Sequence, residues 1–165
     1  MKKLGAIVIG TVGSSEKAAY AKDHGCDHTI LYREEDVVSR VLELTDGKGV
    51  SVVYDSVGKE TFNISLNCIE KRGYFISFGN ASGLVDPISP MLLAKKGSLF
   101  FSRPSLMDYC STQNELLISA ESLFNFFRNG LKININSRLP LHKVKEAHEI
   151  LENRSTKGST ILIPD

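Results

Sequence analysis

The sequence predicts an α/β fold built on a doubly wound parallel sheet, and three observations carry the prediction. Short apolar runs rich in β-branched residues alternate with stretches of helical period. The first run, residues 5–9, is apolar along its length, as a strand buried on both faces is. Of the 165 residues 42% are hydrophobic and 24% charged, the balance of a globular chain able to bury one core.

Gly10 bounds that first strand. Ser14 is placed to cap a helix that carries Ala18 and Ala21 and stops at Gly25. A second strand follows over 28–32. Residues 34–44 then read as a helix with Val37, Val41 and Leu44 on one face and acidic residues in its first turn. The turn Asp46-Gly47-Lys48-Gly49 closes it, and residues 50–54 form the clearest strand in the chain. Residues 59–71 read as a helix aligning Phe62, Leu66 and Ile69, with Gly73 as its stop. A strand over 74–78, the loop Gly79-Asn80-Ala81-Ser82-Gly83, a short helix ending near Gly97 and a strand over 98–102 stopped by Pro104 complete the alternation. From Asn114 the pattern changes. A helix runs through Phe127 with Leu116, Ala120, Leu123 and Phe127 aligned, followed by a short segment over 132–135, a helix over 141–153 and a last strand over 160–163.

Charge and cysteine usage exclude several functions. Lys plus Arg (20) nearly cancels Asp plus Glu (19), so the broad basic face of a nucleic-acid or membrane-surface binder is not expected and any anion site must be local. Cys26, Cys68 and Cys110 are far apart and form no CxxC pair, which points to packing thiols in a reducing compartment. The apolar run after Met1-Lys2-Lys3 is too short for a signal peptide, so a cytoplasmic chain is expected. His24, His28, His142 and His148 show no HExxH motif, and no Ser/His/Asp arrangement stands out. Neither a metal nor a catalytic residue is expected in the chain.

In an open α/β sheet ligands bind beyond the carboxyl ends of the strands, so the residues just after each strand are the informative ones. After the first strand comes Gly10-Thr11-Val12-Gly13-Ser14-Ser15-Glu16-Lys17. No acid stands between Gly10 and Ser15, whereas a site for the free ribose 2′-hydroxyl of NAD usually offers one. A helix N-terminus, two serines and Lys17 suit a dianionic phosphate. Ser14 as a plain cap and Lys17 as a solvated lysine account for the same residues equally well. After the third and fourth strands, Tyr54-Asp55-Ser56-Val57-Gly58 and Phe78-Gly79-Asn80-Ala81-Ser82-Gly83 combine small residues with hydrogen-bonding ones. That composition suits the close approach of a flat ligand and also suits tight turns. Phe101-Ser102-Arg103-Pro104 ends the fifth strand, and Arg154 and Lys157 are further cations suited to phosphate. The GxGxxG fingerprint that holds a dinucleotide pyrophosphate does not occur.

These segments, together with Gly25-Cys26-Asp27-His28, Tyr32-Arg33-Glu34-Glu35-Asp36, Ser102-Arg103-Pro104-Ser105-Leu106 and Ala147-His148-Glu149-Ile150-Leu151-Glu152, resemble in collinear order the NADPH:quinone oxidoreductases of the zeta-crystallin type. These are zinc-free members of the medium-chain dehydrogenases/reductases. The resemblance implies a partial Rossmann-type doubly wound parallel sheet lacking its first strand and Gly-rich turn, with a C-terminal helix-strand return segment. It divides the chain into a truncated nucleotide-binding domain over 4–113 and, over 114–165, C-terminal helices and a strand that complete the domain and return to the catalytic domain. NADPH is the implied cofactor. Lys17 and Tyr32, joined by Arg154, match the region around the adenosine 2′-phosphate, and Gly13 and Ser14 of the preceding turn are further expected cofactor contacts. Ser56 matches a contact along the cofactor, Phe78, Gly79 and Ser82 the loop beside the ribose and nicotinamide, and Phe101 and Ser102 the strand end near the nicotinamide. Hydride transfer from NADPH to a quinone or enone is the implied reaction, with the chain inactive until a catalytic domain joins it. A homo-oligomer or a missing N-terminal partner chain is implied, and neither nucleic acid nor membrane. The other reading is a non-catalytic truncated remnant that folds, self-associates and binds nucleotide weakly or not at all.

Overall fold

The computed structural model describes residues 1–131, 133–153 and 158–164. They form two compact units, Met1–Ser111 and Thr112–Asp165. The first unit holds β1 (Ile9–Val12), α1 (Ser15–Asp23), β2 (His28–Leu31), α2 (Val37–Leu44), β3 (Val50–Asp55), α3 (Phe62–Asn67), β4 (Ile69–Ser77), α4 (Pro90–Lys95), β5 (Phe100–Ser102) and α5 (Leu106–Tyr109). Side-chain oxygens start three of its five helices. Ser14 accepts from the Lys17 N–H (3.3 Å), Asp36 from the Ser39 N–H (2.7 Å), and Ser89 from the Met91 N–H (3.2 Å) ahead of Pro90.

Every strand pair in this unit is parallel. β1 pairs with β2, and β3, β4 and β5 form a second sheet in that order. Among the described residues no ladder joins β1 to β3, so each is paired on one side only. The doubly wound order 3-2-1-4-5-6 places its first strand in that gap, and the chain is therefore a partial Rossmann-type sheet. Two apolar clusters lie against the strands. Phe62, Leu66, Ile69, Phe75 and Leu99 form one, beneath β3–β5. Ile30, Val41 and Cys68 form the other, with Ile9 of β1 and Val50 and Val53 of β3 packed on it. On the opposite face of β3–β5 the cross-strand row Val52, Tyr74 and Phe100 is exposed, with the Tyr74 and Phe100 rings stacked at 4.7 Å.

Several boundaries depart from the sequence reading. The first strand occupies Ile9–Val12 rather than 5–9, because pairing begins where Ile9 meets His28; the Val8 N–H is instead held by the Asp27 carboxylate at 2.8 Å. α2 starts after Asp36, since Glu34 and Glu35 make a turn on the Leu31 carbonyl and the Glu35 carboxylate accepts from the Leu31 N–H. The helix expected over 59–71 is Phe62–Asn67 alone. Phe62, Leu66 and Ile69 share one core, which imitates a helical face, but Ile69 already belongs to β4. A bulge interrupts β4 at Arg72 (φ 62°), and at Gly73 a Cβ would come within 2.5 Å of the Ile69 side chain. α5 was not expected.

The second unit contains α6 (Gln113–Arg128), β6 (Ile135–Pro140), α7 (Val144–Glu152) after a 3₁₀ turn, and β7 (Ser159–Ile163), with β6 and β7 parallel. Thr112 and Glu115 close a reciprocal capping box at the start of α6. The segment expected over 132–135 is displaced into β6, and Lys132 lies outside the described residues. Among the described residues no helix is long and apolar enough to cross a membrane.

Candidate functional site

The residues singled out in the first unit gather at the carboxyl ends of the strands in two groups. The first joins the ends of β1 and β2. The Tyr32 N–H donates to the Val12 carbonyl (3.2 Å), which extends the β1–β2 pairing and brings Tyr32 beside the turn after β1. Gly13 then faces the Tyr32 phenol so closely that a Cβ would stand 2.8 Å from its oxygen. Ser14 caps α1 through the Lys17 N–H, and the Lys17 side chain leaves the first turn half-buried. The Arg33 guanidinium lies 5.9 Å from the Tyr32 ring centroid and adds a second cation. Gly13, Ser14, Lys17 and Tyr32 are thus brought together around a helix N-terminus. Arg154, expected to join them, lies outside the described residues, as does Lys157.

The second group is a pair of interlocked loops after β3 and β4. The Phe78 N–H donates to the Asp55 carbonyl (2.9 Å), the Ala81 N–H to the Ser56 carbonyl (3.1 Å) and the Ser82 N–H to the Val57 carbonyl (2.8 Å). Glycine permits the contact. A Cβ on Gly79 would lie 2.5 Å from the Ser56 carbonyl oxygen, and one on Gly58, whose φ is 90°, 2.6 Å from that of Gly83. The Ser82 hydroxyl donates to the Val57 carbonyl (2.8 Å) and accepts from the Glu60 N–H (3.0 Å), so it fastens the loops together. Ser56 and Phe78 face outward, Phe78 half-exposed. Ser102 is exposed at the end of β5, while the Phe101 ring turns inward against Phe62 and Phe75 and leaves its backbone to the rim. The Arg103 guanidinium donates to the Pro104 carbonyl beside it.

Sequence reasoning passed over Asp55, the buried centre of this second group. Its Oδ1 accepts from the N–H groups of Val57 (2.8 Å) and Gly58 (2.9 Å), and its Oδ2 from the hydroxyls of Thr61 (2.7 Å) and Ser65 (2.7 Å). Burial pushes its carboxyl upward, but those donors outweigh burial and hold it below the ordinary carboxylate value. An aspartate that ends a strand and runs into Ser-Val-Gly was the available signal. Among the described residues no group of three or more His, Cys, Asp or Glu side chains is assembled for a metal.

The family model described as zinc-binding dehydrogenase matches residues 1–113. The chain is 49% identical to a quinone oxidoreductase of Salmonella typhimurium, over 99% of this chain and 51% of that protein. A solved quinone oxidoreductase of Pseudomonas syringae superposes with a TM-score of 0.94 at 47% identity, covering 99% of this chain and 50% of the other. The Escherichia coli quinone oxidoreductase solved in complex with NADPH gives 0.93 at 47% identity, covering 99% and 51%. The chain spans about half the length of the curated relatives it matches.

Proposed function

The chain belongs to the zinc-binding dehydrogenase family, and from that premise we propose that it forms the NADPH-binding portion of an oxidoreductase that moves hydride from NADPH to a quinone or enone. When bound, NADPH supplies the hydride from its nicotinamide. The observation that carries the reading is the group at the ends of β1 and β2. The turn over 10–15, which holds no acid, the N-terminus of α1, Lys17 and Tyr32 suit a 2′-phosphate, with Glu16 the acid in the first turn of α1. Gly13 leaves the Tyr32 phenol beside that turn, free of a side chain that would displace it. The two interlocked loops offer a flat rim, with the Ser56 side chain, Phe78 and the strand-end backbone of Phe101 and Ser102, along which the rest of the dinucleotide lies. The quinone or enone is held by the family's catalytic domain in this reading. The unbridged cysteines suit a cytoplasmic setting.

Two-dimensional NMR of the 165-residue chain tests the cofactor reading, since it detects weak binding. NADPH is expected to shift the amides of Gly13, Ser14 and Lys17 at lower concentration than NADH does. Equal responses to both, or none to either, would sink the reading. A second reading, a non-catalytic chain that self-associates, draws on the unpaired edges of β1 and β3 and on exposed Val52, Tyr54, Tyr74 and Phe100. Sedimentation velocity decides it, because a monomer at every concentration would exclude it.

A further inference from the structure

We propose that Asp55 is a positioning residue whose carboxylate holds the loops after β3 and β4 as one rigid platform for the nicotinamide half of the dinucleotide. The proposal rests on the cofactor reading above. Asp55 is 5% exposed and faces inward. Its donors come from two directions. The Val57 and Gly58 N–H groups belong to the first loop, while Thr61 and Ser65 belong to the start and body of α3. One carboxylate therefore ties the loop to a helix that is anchored in the core through Phe62 and Leu66.

The constraint passes onward to the second loop through backbone groups. The carbonyls of Ser56 and Val57, oriented by these bonds, receive the Ala81 and Ser82 N–H groups, and the Ser82 hydroxyl adds a third bond. Gly58 and Gly79 bring the two backbones into contact with no side chain between them, so a shift of the first loop displaces the second. Removing the charge leaves a definite deficit. An asparagine has one acceptor oxygen and an amide that donates, so it cannot receive the two N–H groups and both hydroxyls at once. The volume is unchanged, and Thr61 keeps an acceptor in the Gly58 carbonyl at 3.3 Å, so Asp55→Asn is expected to fold.

The test combines amide hydrogen exchange in the ligand-free chain with titrations of NADPH and of adenosine 2′,5′-bisphosphate, which lacks the nicotinamide half. In Asp55→Asn the Ala81 and Ser82 amides are expected to exchange roughly tenfold faster or more, with α1 amides unchanged. NADPH is expected to bind about tenfold more weakly, and the bisphosphate as before. Ser65→Ala, which removes one donor, is expected to move both readouts in the same direction by less and serves if Asp55→Asn does not fold. A uniform rise in exchange through residues 1–111, unchanged exchange, or equal losses for both ligands would overturn the proposal. If the unaltered chain bound neither ligand, the cofactor reading and the platform's use would fall together, while exchange at Ala81 and Ser82 would still report whether Asp55 couples the loops.

Discussion

Lys17 stands in the first turn of α1, where the helix N-terminus and the Tyr32 phenol converge. A charge-assisted hydrogen bond to a 2′-phosphate contributes about 1.5–3 kcal/mol, so Lys17→Ala is expected to weaken NADPH by roughly tenfold or more and leave NADH nearly unchanged. Isothermal titration with both cofactors, with the chain joined to the family's catalytic domain, measures this; equal losses would make Lys17 structural. Cys68 offers a separate residue-scale expectation. Burial, and then the Asp36 charge, push its thiol up to about 11. Almost no thiolate exists at neutral pH, and an alkylating reagent should modify Cys68 far more slowly than the half-buried Cys26 and Cys110. Peptide mass spectrometry after timed labelling checks the order. Ser14 was legible from the sequence as a cap because capping is a contact three residues long. The locking of Ser82 onto Val57 was not, because it spans 25 residues and depends on where two strands end.

At the scale of the element, α6 begins with a complete capping box, the Thr112 hydroxyl on the Glu115 N–H and the Glu115 carboxylate on the Thr112 N–H. Thr112→Ala removes the cap and is expected to destabilise the second unit by about 1 kcal/mol, read as a lower midpoint in urea denaturation. An unchanged midpoint would show that α6 draws its stability from packing alone. The same comparison explains which elements were readable. β3 and β5 announce themselves by composition, and α1 by its cap. β4 was seen only in its second half, because its first residue, Ile69, lies on the apolar period of the preceding helix. Nothing local distinguishes a helix that continues from one that stops at Asn67 and enters a bulged strand. The first strand was set too early because the apolar run begins before its pairing partner does, and strand limits belong to the ladder.

For the whole molecule, the depressed carboxyl of Asp55 gives acid a specific point of entry. A carboxylate held below its unfolded value of about 3.9 contributes stability at pH above that value, and the contribution is lost as pH falls through the lower folded value. Stability of the chain is expected to decline on acidification below about pH 4–5, with a shallower decline in Asp55→Asn, followed by circular dichroism across a pH series; parallel curves would remove Asp55 from the account. The gap between β1 and β3 bears on how the chain comes to be folded. Each ladder in residues 1–111 joins consecutive strands, so every loop closure is short and the contacts that tie residues 9–44 to residues 50–102 are the longer-range ones. The two segments meet through Ile9, Val50 and Val53 around Ile30, Val41 and Cys68, and among the described residues no strand ladder joins them. The Cys68 sulfur lies at that seam, so its labelling in native buffer rises with the fraction of time the two segments stand apart.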